Sequence, residues 1–134
     1  MIPVLNISKA ITQGVEVLVK THYSPAHSNP KLGRYFFVYT ITIKNNNDFS
    51  VQLISRHWNI YDSNGEFNQL RGKGVVGDQP VIEPQQEYTY SSGCNLKSEI
   101  GKMNGSYTMV RLFDEKVFDV IIPEFTMVLE AKLN

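Results

Sequence analysis

Two apolar runs meet at Asp62-Ser63-Asn64-Gly65. The run before it carries Trp58, the chain's single tryptophan, and the run after it passes through Phe67 and Leu70 into Arg71-Gly72-Lys73-Gly74-Val75-Val76-Gly77. Asn-Gly between such runs predicts a β-hairpin, because the tight turn needs positive φ and these two residues tolerate it. A hairpin makes its flanks antiparallel neighbours, and the remaining chain agrees. No window of ten or more residues has convincing helical periodicity, whereas short alternating runs separated by turn residues recur throughout. Eight or so strands of this kind predict an all-β, two-sheet antiparallel sandwich, with a closed barrel as the alternative.

In chain order, residues 1–14 read as a short strand or a loose arm. Val15, Val17 and Val19 alternate with polar residues, as in a half-buried strand. His22–Gly33, with two prolines, predicts a loop. Arg34–Asn45 places Tyr35, Phe37, Tyr39, Ile41 and Ile43 on one face, and Phe36 and Val38 opposite suggest cover on both faces at its start. Phe49–Tyr61 changes phase near Leu53-Ile54, where a bulge would account for the break. Pro80 and Pro84 bracket a short Val81–Glu83 segment, Glu87–Ser92 reads as a strand, and Gly93–Gly101 as irregular. Met103–Phe113 turns at Asp114-Glu115-Lys116 into Val117–Ile122; Pro123 should interrupt before a last strand over Phe125–Ala131. The expected core includes Trp58, Tyr35 or Phe37, Ile60 and Tyr107.

At 134 residues the chain has the size of one domain and can bury a substantial core. Thirteen basic side chains balance thirteen acidic ones, which argues against a nucleic-acid partner, since such modules carry a basic excess. Cys94 is the single cysteine, so no internal disulfide forms and a reducing compartment is compatible. No apolar run nears the roughly 18–20 residues of a membrane span. The first residues lack a basic stretch followed by an apolar one, so no secretory signal is expected and the expected location is cytoplasmic.

A series of short motifs, in order, is similar to the ApaG domain family. The pieces are Val51-Gln52-Leu53-Ile54-Ser55-Arg56-His57-Trp58, Asp62 with Asn64-Gly65, and Gly72 through Pro80. Tyr90-Ser91-Ser92-Gly93, Gly101 through Tyr107, and Ile122-Pro123-Glu124-Phe125 complete it. The resemblance implies a sandwich of fibronectin type III or immunoglobulin-like kind. It also implies a bacterial stand-alone protein, linked by name to cobalt resistance and magnesium efflux without an assigned reaction. Relatives inside eukaryotic F-box and polymerase-interacting proteins look like binding modules. Two positions depart from the family's pattern: Gln85 stands where glycine is usual, and Asp114-Glu115-Lys116 lacks the glycine of that hairpin.

Gly72, Gly74 and Gly77 spell G-x-G-x-x-G, but a dinucleotide site needs a helix to follow, and Asp78-Gln79-Pro80 forbids a long one. Glycines that let a loop cross a sheet edge explain the spacing; a weak anion cradle of backbone N–H groups beside Arg71 and Lys73 is the functional alternative. His22, His27 and His57 share no face, and Asp48, Asp62, Glu66 and Asp78 scatter through turns, so no metal site is expected. Ser91-Ser92-Gly93-Cys94 lacks the flanks of a nucleophile motif, and Cys94 reads as a small, partly buried apolar group. Arg56 shares the face of Trp58 with its stem against the core, and His57 lies opposite.

These observations predict a non-enzymatic binding module with no cofactor. Its expected partner surface is Arg71, Gly72, Lys73, Gly74, Gly77, Asp78 and Gln79, with Asp62–Glu66 as a neighbour. The partner is expected to be another protein, or weakly a phosphate-containing small molecule, with the chain a monomer or weak homo-oligomer. A nucleotide-phosphate sensor is the second reading, and a phosphate-ester enzyme, lacking an identifiable base or metal, the third.

Overall fold

The structure, a computed structural model, describes residues 6–129. Nine strands form among them: β1 Asn6–Thr12, β2 Val15–Tyr23, β3 Tyr35–Asn45, β4 Val51–Asp62, β5 Phe67–Lys73, β6 Val81–Ile82, β7 Glu87–Leu96, β8 Ile100–Arg111 and β9 Val117–Val128. The first sheet has the order β1-β2-β3-β7, and the second β5-β4-β8-β9 with β6 added beside β4. All pairings are antiparallel. This is the two-sheet antiparallel sandwich that the alternation predicts, of the fibronectin type III or immunoglobulin-like kind that the resemblance implies. The ambiguous start is a strand from Asn6 to Thr12; the earlier part of that expectation lies outside the described residues.

The core is where alternation places it. Val15, Val17, Val19, Phe37, Ile41 and Ile43 line the inner face of the first sheet, and Trp58, Met103, Tyr107, Met109 and Met127 that of the second, all almost fully buried. Trp58 packs its ring at 5.4 Å from Tyr39 across the sandwich and 5.9 Å from Phe125. Tyr90 on β7 and Tyr107 on β8 join the sheets through hydroxyls 2.5 Å apart, a polar contact inside the core. Burial holds both phenols well above their ordinary range.

The register of β4 against β8 slips between Leu53 and Ser55, so Ile54 is the bulged residue that moves the inward set from Val51 and Leu53 to Trp58 and Ile60.

Three expectations need correction. Gly93–Leu96 is not irregular: β7 runs on to Leu96, and Gly93 pairs with Val38 in regular register. Glycine is needed there because a Cβ would collide with the ring of Phe36, which crosses the outer face. Pro123 does not interrupt the last strand. It sits within a continuous β9 at a register shift, where a residue without an N–H costs the ladder least, and the buried phase passes from Ile122 to Phe125. The strand ends at Val128, one residue short of Leu129, and the rest of the expected continuation to Ala131 lies outside the described residues. Finally, β2 extends through His22 to Tyr23, and the following loop holds two single 3-10 turns, Pro25–His27 and Pro30–Leu32. His27 in this loop lies 5.6 Å from Phe36, giving the expected cover at the start of β3.

Both departures from the family's glycine pattern fall where the backbone turns left-handed. Gln85 has φ 66° and Glu115 φ 56°, a region that disfavours side chains.

Candidate functional site

The two sides of the sandwich differ. On one, β9 lies against β1 and β2, and the Ile121 N–H donates to Thr12 Oγ1. On the other, β5 and β7 are both edge strands and leave a cleft of about 380 Å³ between them. The cleft is laced at its two ends. The Tyr88 hydroxyl of β7 donates to Asp78 Oδ2 at 3.0 Å. At the far end, Asp62 Oδ2 accepts the Lys97 N–H at 2.6 Å, and Lys97 reaches Glu66 at 3.0 Å. Between these ends the buried Tyr39, Ile60 and Met103 line the cleft, with the half-exposed Leu70 of β5 and the buried Cys94 of β7 beside them. Burial pushes the Cys94 thiol up to about 11, with Asp62 adding to the shift, so it stays protonated at neutral pH and is a poor nucleophile.

β5 is exposed along nearly its whole length. Its hydrogen-bond parity is fixed at both ends. Asp62 N–H donates to the Glu66 carbonyl at 2.9 Å, and Gly74 N–H donates to the Ile54 carbonyl at 2.8 Å. Antiparallel pairs alternate between bonded and non-bonded, so Asn68, Leu70 and Gly72 bond to β4. Phe67, Gln69 and Arg71 then direct their main-chain N–H and C=O groups out from the sheet edge, whereas the Lys73 carbonyl accepts from Arg56.

The glycine pattern is a structural device. Gly72 faces the Arg56 side chain, and a Cβ there would lie 2.8 Å from Nη1. That guanidinium donates to the carbonyls of Gly74 at 2.8 Å and Lys73 at 3.2 Å, tying the end of β5 to β4. Gly74 has φ 65°, and a Cβ there would collide with the Asp78 carbonyl oxygen. Val75 and Asp78 exchange two backbone hydrogen bonds of 2.8 Å around Val76 at φ 42° and Gly77 at φ 85°. Positive φ at both central positions makes this a type I′ two-residue hairpin. A glycine-rich loop meets phosphate through free N–H groups; here those of Gly74, Val75 and Asp78 are bonded within the protein. The residues after Gly77 enter no helix but lead back to β6.

The expected site residues are therefore divided. Arg71 and Lys73 lie on β5, and their side chains make no hydrogen bond or ion pair among the described residues. Their register partners His57 and Ser55 place them on the outer face of the second sheet. Asp78 is directed to β7 through Tyr88, and Gln79 is turned inward, its Nε2 donating to the Ile54 carbonyl at the β4 bulge. Gly72, Gly74 and Gly77 shape the hairpin. Asp62–Glu66 is not a neighbour of it but lies at the opposite end of β5, about 20 Å away by strand rise.

The outer face of the second sheet carries an arrangement that no local motif announces. Gln69 Nε2 donates to Asn59 Oδ1 at 2.9 Å, Asn59 Nδ2 to Asn104 Oδ1 at 3.0 Å, and Asn104 Nδ2 to Glu124 Oε1 at 3.1 Å. The ladder crosses β5, β4, β8 and β9. On this face His57 Nε2 is buried without a hydrogen-bond partner. Four residues from four strands leave no spacing in the chain to find them by. Among the described residues no group of three or more His, Cys, Asp and Glu side chains could hold a metal ion, and no helix is long and apolar enough to cross a membrane.

The family pattern of the ApaG domain matches residues 25–111. The chain is 46% identical over 119 residues to Protein ApaG of Methylobacterium radiotolerans, covering 89% of this chain and 91% of that one. It is 43% identical over 128 residues to Protein ApaG of Anaeromyxobacter dehalogenans, covering 96% and 100%. A solved Bordetella pertussis structure described as an ApaA protein is 37% identical with a TM-score of 0.83, covering 95% of this chain and 98% of that one.

Proposed function

Because the chain belongs to the ApaG domain family, we propose that it is a non-enzymatic binding module that recognises a protein partner through the β5 edge and the adjoining glycine hairpin. The observation that carries this reading is the edge itself: main-chain groups of Phe67, Gln69 and Arg71 directed outward, beside the unengaged side chains of Arg71 and Lys73. An exposed strand edge accepts an extended segment by main-chain hydrogen bonds, and arginine's planar, multi-donor head suits an interface. Val76 adds to it. A β-branched residue at positive φ is strained, and here it stands 55% exposed at the hairpin tip, where a side chain serving recognition would repay the strain.

The link of the ApaG name to cobalt resistance and magnesium efflux then runs through the partner, in the cytoplasm, rather than through a cation held by this chain. Anion sensing by the Gly72–Gly77 loop gains less from the geometry, since the N–H groups of Gly74, Val75 and Asp78 are engaged within the protein.

The test is affinity capture from native lysate with wild type and Arg71→Glu, alongside their thermal stability. The expected result is lost capture with stability changed by less than about 1 kcal/mol, as for an exposed substitution. Undiminished capture by a folded Arg71→Glu protein would overturn the reading.

A further inference from the structure

The edge that the proposed function identifies is complementary to itself, and we infer that the partner strand it takes is the β5 of a second copy of this chain. The inference rests on that reading of the edge and goes further in naming the occupant. A twofold axis through Leu70 pairs Gln69 with Arg71 and Phe67 with Lys73 of the second copy, in antiparallel register. The main-chain groups of Gln69 and Arg71 face outward, so this pair can exchange N–H and C=O bonds across the new seam, and each Lys73 N–H can reach a Phe67 carbonyl while its own carbonyl stays with Arg56.

Charge and apolar matching together favour this register over those centred on its neighbours Arg71 and Gln69. Centring the axis on Arg71 would set two guanidinium groups directly opposite, which is destabilising. Centring it on Gln69 would set apolar Leu70 against Asn68. With the axis at Leu70 no like charges face each other, and each Lys73 ammonium meets the ring of a Phe67, an attractive cation–π arrangement. The inner face gains as well. Leu70 lines the cleft beside buried Tyr39, Ile60 and Met103 and is 55% exposed. In the paired state the two Leu70 side chains form a close non-bonded pair, each covering the mouth of the other's cleft. The half-exposed Phe67, 48% accessible in the single chain, is covered in the same step. The two second sheets then join into one continuous sheet, and neither β5 edge remains open. A single strand pair makes a small interface, so association is weak and reversible.

The test has two arms. Sedimentation of the whole chain from low micromolar to about 1 mM should show a monomer–dimer equilibrium, and Leu70→Lys should weaken dimerisation at least about tenfold, by opposing two charges at the axis. In a Cys94→Ser background, Leu70→Cys should form a disulfide-linked dimer on mild oxidation. The non-bonded pair at the axis brings the two Cα atoms to about 4.5–5.5 Å, within disulfide range. Asn68→Cys, whose two copies lie about four residues of rise apart in this register, should crosslink at least about tenfold more slowly. A chain that remains monomeric throughout, or equal crosslinking of both variants, overturns self-pairing. If self-pairing fails while capture of another protein remains sensitive to Arg71→Glu, the edge is a recognition site for a foreign strand. If both fail, the recognition reading fails too.

Discussion

Replacing Tyr107 by phenylalanine isolates the polar contact that joins the two sheets. Tyr107 is fully buried, Tyr90 is 7% exposed, and their hydroxyls stand 2.5 Å apart. Tyr107→Phe keeps the ring and leaves no cavity, so the cost is confined to the lost bond and to the hydroxyl left behind on Tyr90. A buried hydroxyl without its partner costs about 1–3 kcal/mol. Tyr90→Phe strands the more deeply buried hydroxyl and should fall at the upper end. The double change Tyr90→Phe, Tyr107→Phe removes both groups and leaves no orphan. Its cost should fall short of the sum of the singles by about 1–2 kcal/mol, within the range seen for contacting residues. Urea unfolding of the four proteins measures this, with an unchanged dependence on denaturant confirming the same cooperative transition. Single costs that add to within about 0.3 kcal/mol would refute the contact as a coupled pair.

The same burial sets an alkaline limit: Tyr39, Tyr90 and Tyr107 are held above their ordinary value, chiefly by desolvation, and Cys94 is pushed to about 11. The unfolded chain releases these protons first, so stability is full below about pH 9 and falls above it by about 1.4 kcal/mol per pH unit for each group in play. Urea midpoints between about pH 8 and pH 11 would show it, and Tyr107→Phe should shallow the slope. In the hairpin, Gly74→Ala should cost more than about 2 kcal/mol, because it adds a collision with Asp78 to left-handed strain, whereas Gly77→Ala meets open space and should cost about 1 kcal/mol. Val76→Asn supplies the Asn-Gly pair that a type I′ turn favours and should stabilise by about 0.5–1 kcal/mol in thermal unfolding.

The sequence pattern reached furthest where a period of two ran unbroken. The valines of β2, the inward row of β3 and the phase break at Ile54 are all legible, because each buried face repeats every second residue. Reading failed where tertiary contact overrides local preference. Gly93 breaks a strand by propensity, yet the Phe36 ring requires it inside β7. Pro123 ends a strand by rule, yet a register shift in β9 accommodates it. The glycine motif was recognisable as a backbone device, but its detail was not. That Gly72 makes room for Arg56, and that Arg71 and Gln79 face different ways, depends on which edge β5 occupies. The amide ladder from Gln69 to Glu124 follows from the pairing of four strands, which no single stretch of sequence encodes.

Amide hydrogen exchange resolved along β5 tests the recognition edge most directly. In dilute free protein the amides of Asn68, Leu70 and Gly72, bonded to β4, should be protected, while those of Gln69 and Arg71 exchange at rates close to an open strand edge. Occupation of the edge, by a captured partner or by a second copy at high concentration, should protect Gln69 and Arg71 and leave the slow set unchanged. Protection of Gln69 and Arg71 already in the dilute monomer, or no change at these two amides when a partner is bound, would contradict the account.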